Sequence, residues 1–367
     1  MPGPITIVVS SGQTSSSVIL NSGSTETILS GGVAIATIVN SGGDVFVSAG
    51  GVASGTTVNG GGFSLLNSGA TATGTILDGS GGNFGIEDVQ LGATANGTTV
   101  DSGGSQVIAS GGIASGTTVS SGGFETVLGS ATSTIVSSGA FQVISVGGLA
   151  ISTTVSGGGF SLIVSGAIAN GTTVDSGGSQ VVSSGGIASG TTVSDAGFQG
   201  IALGGVASGT FIQSGGFANV SSGGRSVDTT IEGFGLNGNG QPVHATETVF
   251  FGGAASNTSV GSGGLLNLTG GSADQVFVFS GGQVDVDSGS TVTSQFLSGD
   301  SVIPGDGFQA SAEGVFTGGA VVSTTATNGA NITLFGGTAD TLFVLSGAGV
   351  DVNSGGSTSN SVIQGLG

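Results

Sequence analysis

One block of this sequence returns almost unchanged: Asn96-Gly97-Thr98-Thr99-Val100-Asp101-Ser102-Gly103-Gly104-Ser105-Gln106-Val107 recurs as Asn170-Gly171-Thr172-Thr173-Val174-Asp175-Ser176-Gly177-Gly178-Ser179-Gln180-Val181. A fixed internal period restricts the possible folds more than any single residue does. The aliphatic residue that closes each Thr-rich segment falls at Leu20, Val39, Val58, Leu77, Val100, Val119, Val136, Val155, Val174, Val193, Ile212 and Ile231, and most steps are 19 residues. Beyond Ile231 the anchor continues less regularly through Val260, Val278, Leu297, Val344 and Ile363. About eighteen units fit, if one irregular unit near Val322 is allowed.

Each unit holds short segments rich in Val, Ile, Thr and Phe, bounded by Ser-Gly-Gly, which reads as strands joined by turns. The 80 glycines exclude helix, since each costs about 1 kcal/mol in a helix interior. One column, Val47, Leu66, Ile108, Val127, Ile163, Val182, Ile201 and Val220, is always aliphatic and should face a core. The preceding column, with Phe46, Val107, Thr126 and Asn219, is mixed and should face outward by the alternation of a strand. The column after the glycine pair, Val33, Val52, Ile113, Leu149, Ile168, Ile187 and Val206, is followed each time by Ala, which implies a narrow interior. A unit of 19 residues cannot bury its apolar side chains alone; stacking buries them in ladders. The expected fold is all-β, a parallel β-solenoid, with regular repeats over 1–232, an inserted loop over 233–247 and degenerate repeats over 248–367 continuing the same rod.

Composition excludes several functions. With one Lys or Arg against 20 Asp and Glu the net charge is −19, which opposes nucleic acid and anionic membrane surfaces as partners. Hydrophobic residues at 37% set the chain apart from disordered sequences, and only four prolines without a Gly-X-Y period exclude collagen. Without cysteine there is no disulfide framework, thiolate metal site or thiol catalysis. Met1-Pro2-Gly3-Pro4 lacks the basic start of a signal peptide and no apolar run approaches 18 residues, so neither signal peptide nor direct membrane insertion is expected within these residues.

The candidates for chemistry are few. Asp285 and Asp287, two apart on a strand, point the same way and could share a calcium ion, with Asp300 and Asp306 further on, but the Gly-Gly-x-Gly-x-Asp pattern is absent and surface aspartates are the expectation. His244, the single histidine, lies in the insert from Gly233 to Glu247 and lacks companions for a zinc site, so a solvated loop residue is expected. Glu125 and Glu232 are too isolated to form an acid and base pair, and Arg225 is the one cation available to a lyase. No catalytic residue, cofactor or metal is therefore expected. The remaining feature is the row of turn hydroxyls at Ser102, Ser121, Ser138, Ser176 and Ser214, which can satisfy backbone groups and, if exposed, can also accept O-linked sugar.

The stretch Gly-Gly-Ile-Ala-Ser-Gly-Thr-Thr-Val-Ser-Ser-Gly-Gly at 111–123 and its copies resemble the strand-loop-strand repeat of autotransporter passenger domains, a family that includes the self-associating adhesins. The resemblance is strongest from about Val33 to Ile231. It implies a right-handed β-helix at the bacterial cell surface that mediates adhesion, autoaggregation and biofilm formation. It also implies Ser and Thr residues that receive heptose from a dedicated glycosyltransferase. The expected function is thus a non-enzymatic extracellular adhesin whose partners are other copies of itself, a glycosyltransferase, and host or surface glycans. The alternative is a filament or matrix subunit joined end to end through the unpaired strand edges of its terminal coils.

Overall fold

The computed structural model describes residues 3–79, 82–164, 166–183, 185–213, 215–236, 242–299 and 312–364. Every regular element among them is a β-strand. The chain divides into two units, the first formed by Met1–Thr173 with Gly178–Gln180, the second by Val174–Gly177 with Val181–Gly367. Both are parallel β-solenoids built from the same coil, and together they comprise about 17 turns.

A coil of the first unit shows the plan. Its first strand is Asp44–Val47, its second Val52–Ser54 and its third Thr57–Val58, after which Phe63–Leu66 opens the next coil. Each strand pairs in parallel with its equivalent one coil away: Asp44 opposite Phe63, Val52 opposite Thr71, Thr57 opposite Ile76. Alternation then decides what is inside. Val45, Val47, Ala53 and Val58 are buried, while Phe46 and Val52 between them are half-exposed. The always-aliphatic column is the core column, with Val47, Leu66, Ile108, Val127 and Ile163 fully buried. The alanines after the glycine pair are buried as well, and the aliphatic residues just before them point outward, Ile113 being 44% exposed and Ile168 41% exposed.

Turns between strands follow from backbone chemistry. One residue between the second and third strands takes a left-handed conformation in every regular coil: Gly97 (φ 65°) and Gly116 (φ 69°), but also Ser133 and Ser152 (both φ 56°). Before the first strand, the amide of Gly123 donates to the carbonyl of Ser120 at 2.8 Å and closes a turn whose third residue, Gly122, has φ 76°. Gly123 itself is required by space, because a Cβ there would lie 2.4 Å from the carbonyl oxygen of Val100.

In the second unit the second and third strands stay separate up to Thr230–Ile231 and then fuse into longer ones, Ala254–Val260, Ser272–Val278, Thr291–Ser298, Ala320–Thr327 and Thr338–Val344. Asn257, Gln275, Ser294, Ser323 and Thr341 keep the left-handed position inside them, at φ 55–57°. The irregular coil near Val322 pairs in register with its neighbours, Ala326 standing between Leu297 and Val344. Within 233–247, Phe234–Leu236 pairs antiparallel with the start of Pro242–Phe250. The chain is back in the first-strand ladder by Ala245 and Thr246, opposite Gly264 and Leu265.

Candidate functional site

The structure places Ser102, Ser121 and Ser138 alike, exposed at the second residue of the turn before a first strand, and Ser176 is exposed too but takes a left-handed conformation, φ 47°. Ser214 lies outside the described residues. In the first unit the turn glycines continue the sheet around the corner, Gly103 N–H donating to Gly122 O at 3.0 Å and Gly122 N–H to Gly139 O at 2.9 Å. Each glycine also leaves room for the serine one coil away. A Cβ on Gly122 would stand 3.1 Å from Ser102 Oγ, and one on Gly139 the same distance from Ser121 Oγ. The hydroxyls of Ser102, Ser121 and Ser138 thus form an open row along one corner of the first unit, spaced by the strand separation of roughly 4.8 Å. Ser102 lines a concavity of about 310 Å³ together with Asn83, Phe84, Gly103, Gly122 and Phe124.

Three residues past these serines lies an outward column that the sequence reading did not single out. Phe124 and Phe141 stack with ring centroids 5.1 Å apart and planes 10° apart, Phe160 follows at 6.0 Å, and Phe84 meets Phe124 edge-on at 6.1 Å. The signal was present as a recurring Phe after the turn glycines.

A second missed feature is internal. The residue two before the always-aliphatic column also points inward, and apart from Val45 and Ala218 it is polar in the regular coils: Glu26, Glu87, Gln106, Glu125, Gln142 and Ser161 are all buried. Opposite stands a column of buried threonines, each the first Thr of a Thr-Thr pair or its equivalent, including Thr75, Thr98, Thr117 and Thr134. Thr75 Oγ1 donates to Glu87 Oε1 at 2.8 Å, Gln106 Nε2 to Glu87 Oε2 at 2.9 Å, Thr117 Oγ1 to Gln106 Oε1 at 3.0 Å and Gln142 Nε2 to Glu125 Oε2 at 2.8 Å. Hydrogen bonds of this kind are what make buried polar groups tolerable. Burial raises Glu87 above the usual carboxyl range against the pull of those bonds. It pushes Glu125 up to about 7, partly offset by Gln142, Thr134 and Thr117. In the second unit Glu247 is pushed up to about 7 and Glu313 to about 8, again by burial. Ser226 and Thr229 lie near enough to Glu247 to ease its charge, as Gln295 does for Glu313, without hydrogen bonds of ordinary geometry.

The other candidates stay apart. Asp285 is raised by burial, then by the charge of Asp287, with His244 acting the opposite way. Among the described residues no three acidic or histidine side chains converge as metal ligands. Asp300 and Asp306 lie outside the described residues. His244 is not a solvated loop residue: it is half-buried on a strand, Nδ1 lies 3.2 Å from Gly263 O and its ring sits 5.0 Å from that of Phe234. Glu125 is in the interior, Glu232 and Arg225 are exposed.

The class these features define is a parallel β-solenoid of stacked coils with hydroxyls exposed at its turns. The family model for the adhesin of the bacterial autotransporter system, AIDA, described as its probable stalk, matches residues 9–62. The crystal structure of the TibC-catalysed, hyper-glycosylated TibA55-350 fragment is 37% identical, covers 78% of this chain and 99% of that one, and superposes with a TM-score of 0.69. The structure of the Streptococcus pneumoniae surface protein and adhesin PfbA aligns over 93% of this chain and 90% of that one, at 9% identity and a TM-score of 0.16, a likeness too slight to carry an argument. No curated protein matches. The chain belongs to the AIDA-type autotransporter adhesins, and its role is that of an adhesin stalk.

Proposed function

We propose that this chain is the extracellular, non-enzymatic passenger of a surface-displayed adhesin, joining cells through contacts between copies of itself and carrying O-linked sugar on its corner serines. In this reading residues 1–232, the insertion 233–247 and residues 248–367 are successive parts of that passenger. The observation that carries it is the exposed serine row at Ser102, Ser121 and Ser138, with Ser176 exposed at a turn of its own, in a chain 37% identical to a fragment that TibC glycosylates. The glycine that follows Ser102, Ser121, Ser138 and Ser176 adds no side chain beside the hydroxyl. Lateral contacts between copies are individually weak, and many coils on many copies multiply them.

Two measurements test this. Producing the chain with and without a glycosyltransferase of the kind that modified the TibA fragment, then mapping sites by mass spectrometry, should show sugar at Ser102, Ser121, Ser138, Ser176 and Ser214. An unmodified chain overturns that part. Bacteria that do not otherwise clump should settle when they display the chain, and failure to settle overturns the adhesive part.

A further inference from the structure

We infer that residues 102–164 form the surface through which one copy of this chain docks on another, with the contact made by the outer face of the first strands around Phe124, Phe141 and Phe160. This rests on the self-association proposed above and gives it a place.

Charge supplies the first argument. The chain carries −19, yet between Ser102 and Val174 it holds a single ionisable side chain, Glu125. That one is turned inward and buried. The coils of this stretch therefore present no charge to the outside, while Asp101 and Asp175 stand at its two limits. Two copies bearing the same net charge repel wherever their acidic residues come within a screening length, about 8 Å at physiological ionic strength. Four coils at roughly 4.8 Å spacing span more than that. The uncharged window is where a second copy meets the least opposition.

Surface chemistry supplies the second. Phe124 and Phe141 are 38% and 40% exposed although they stack on each other, so each ring covers its neighbour's flank and leaves its outer side to solvent. Val143 and Leu162 lie half-buried in the next outward column. Such a strip offers hydrocarbon and almost no hydrogen bonds, and it is matched by another strip of the same kind. The same patch on both copies is what a two-fold contact requires. The strip measures roughly 300 Å² per copy, from four strand spacings and one strand length, against about 800 Å² for a stable complex. One contact is therefore weak, and adhesion arises from many copies on apposed surfaces.

The absence of cysteine allows a direct test on the full chain. Thr126→Cys, at the centre of the strip, should form disulfide-linked dimers under mild oxidation at least tenfold faster than Ile38→Cys, an exposed position in an earlier coil. Beads densely coated with the unaltered chain should clump. Clumping should fall at least tenfold for Phe124→Ser/Phe141→Ser, and also for Val143→Asp, which charges the strip and keeps both rings, while circular dichroism and melting stay close to the parent. Equal cross-linking at both positions, or undiminished clumping of both variants, overturns this face and leaves self-association standing. Clumping by the parent that free saccharide abolishes assigns the strip to a sugar and overturns the proposal. Beads of the parent that never clump overturn self-association and this inference together.

Discussion

Glu125 stands in register between Gln106 and Gln142, in a column where most neighbours are amides or hydroxyls. Its partners compensate part of the cost of burial, and the charged form remains disfavoured. The sign of the pH dependence follows. An unfolded glutamate loses its proton near pH 4.5, while Glu125 and Glu247 hold theirs to about 7 and Glu313 to about 8. Across that window the native state binds more protons, so stability is greatest in acid and falls as pH rises, by on the order of 3 kcal/mol per glutamate. Glu125→Gln, which copies the flanking amides, should raise the melting temperature at pH 8 and change it little at pH 4.5. A melting temperature lowered at both would contradict this. Ile108→Asp and Val107→Asp test the alternation in the same strand. Ile108 is fully buried and Val107 half-exposed, so the first should cost about 4 kcal/mol or more and the second about 1 kcal/mol or less in urea denaturation.

At the scale of the strand and its turn, the coil depends on one left-handed residue between the second and third strands. Where that residue is Ser133 or Ser152, the backbone carries strain that glycine would relieve, and Ser133→Gly should stabilise the first unit by roughly 0.5–1 kcal/mol. Gly116→Val, at the equivalent corner, should destabilise it by a similar or larger amount. Gly123→Ala meets the carbonyl of Val100 rather than a conformational limit, so its loss should exceed that of Gly116→Val in the same urea titration. Much of this was legible. The step of 19 residues located the strands, and Val47, Leu66 and Ile108 identified the core face, because burial at a fixed place in every coil demands an apolar residue there. Polar residues that pair with one another inside leave no such mark. Nothing in the sequence marks Gln106 and Thr117 as partners, and only the fold brings them within 3.0 Å. The corners inside the long strands from Ala254 onward were hidden for a related reason, since Asn257, Gln275 and Thr341 stand where Gly190 and Gly209 mark the corner in earlier coils.

For the whole molecule the governing quantity is a net charge of −19 with few charges of the other sign. That field keeps copies apart at low salt and makes any association between them depend on screening. The described residues contain no acidic cluster able to hold a bridging calcium ion, whereas hydroxyl, amide and phenylalanine side chains recur from coil to coil. Adhesion on this account is a property of repeated neutral surface, requiring neither an ion nor a catalytic group. The most direct test is the settling of cells displaying this chain, followed against sodium chloride with and without chelator. Settling that quickens as salt rises toward 0.1 M, where the screening length is about 10 Å, and that is indifferent to chelator, is the predicted result. Settling abolished by chelator, or by moderate salt alone, would contradict it and point to contacts bridged by calcium or made by ion pairs.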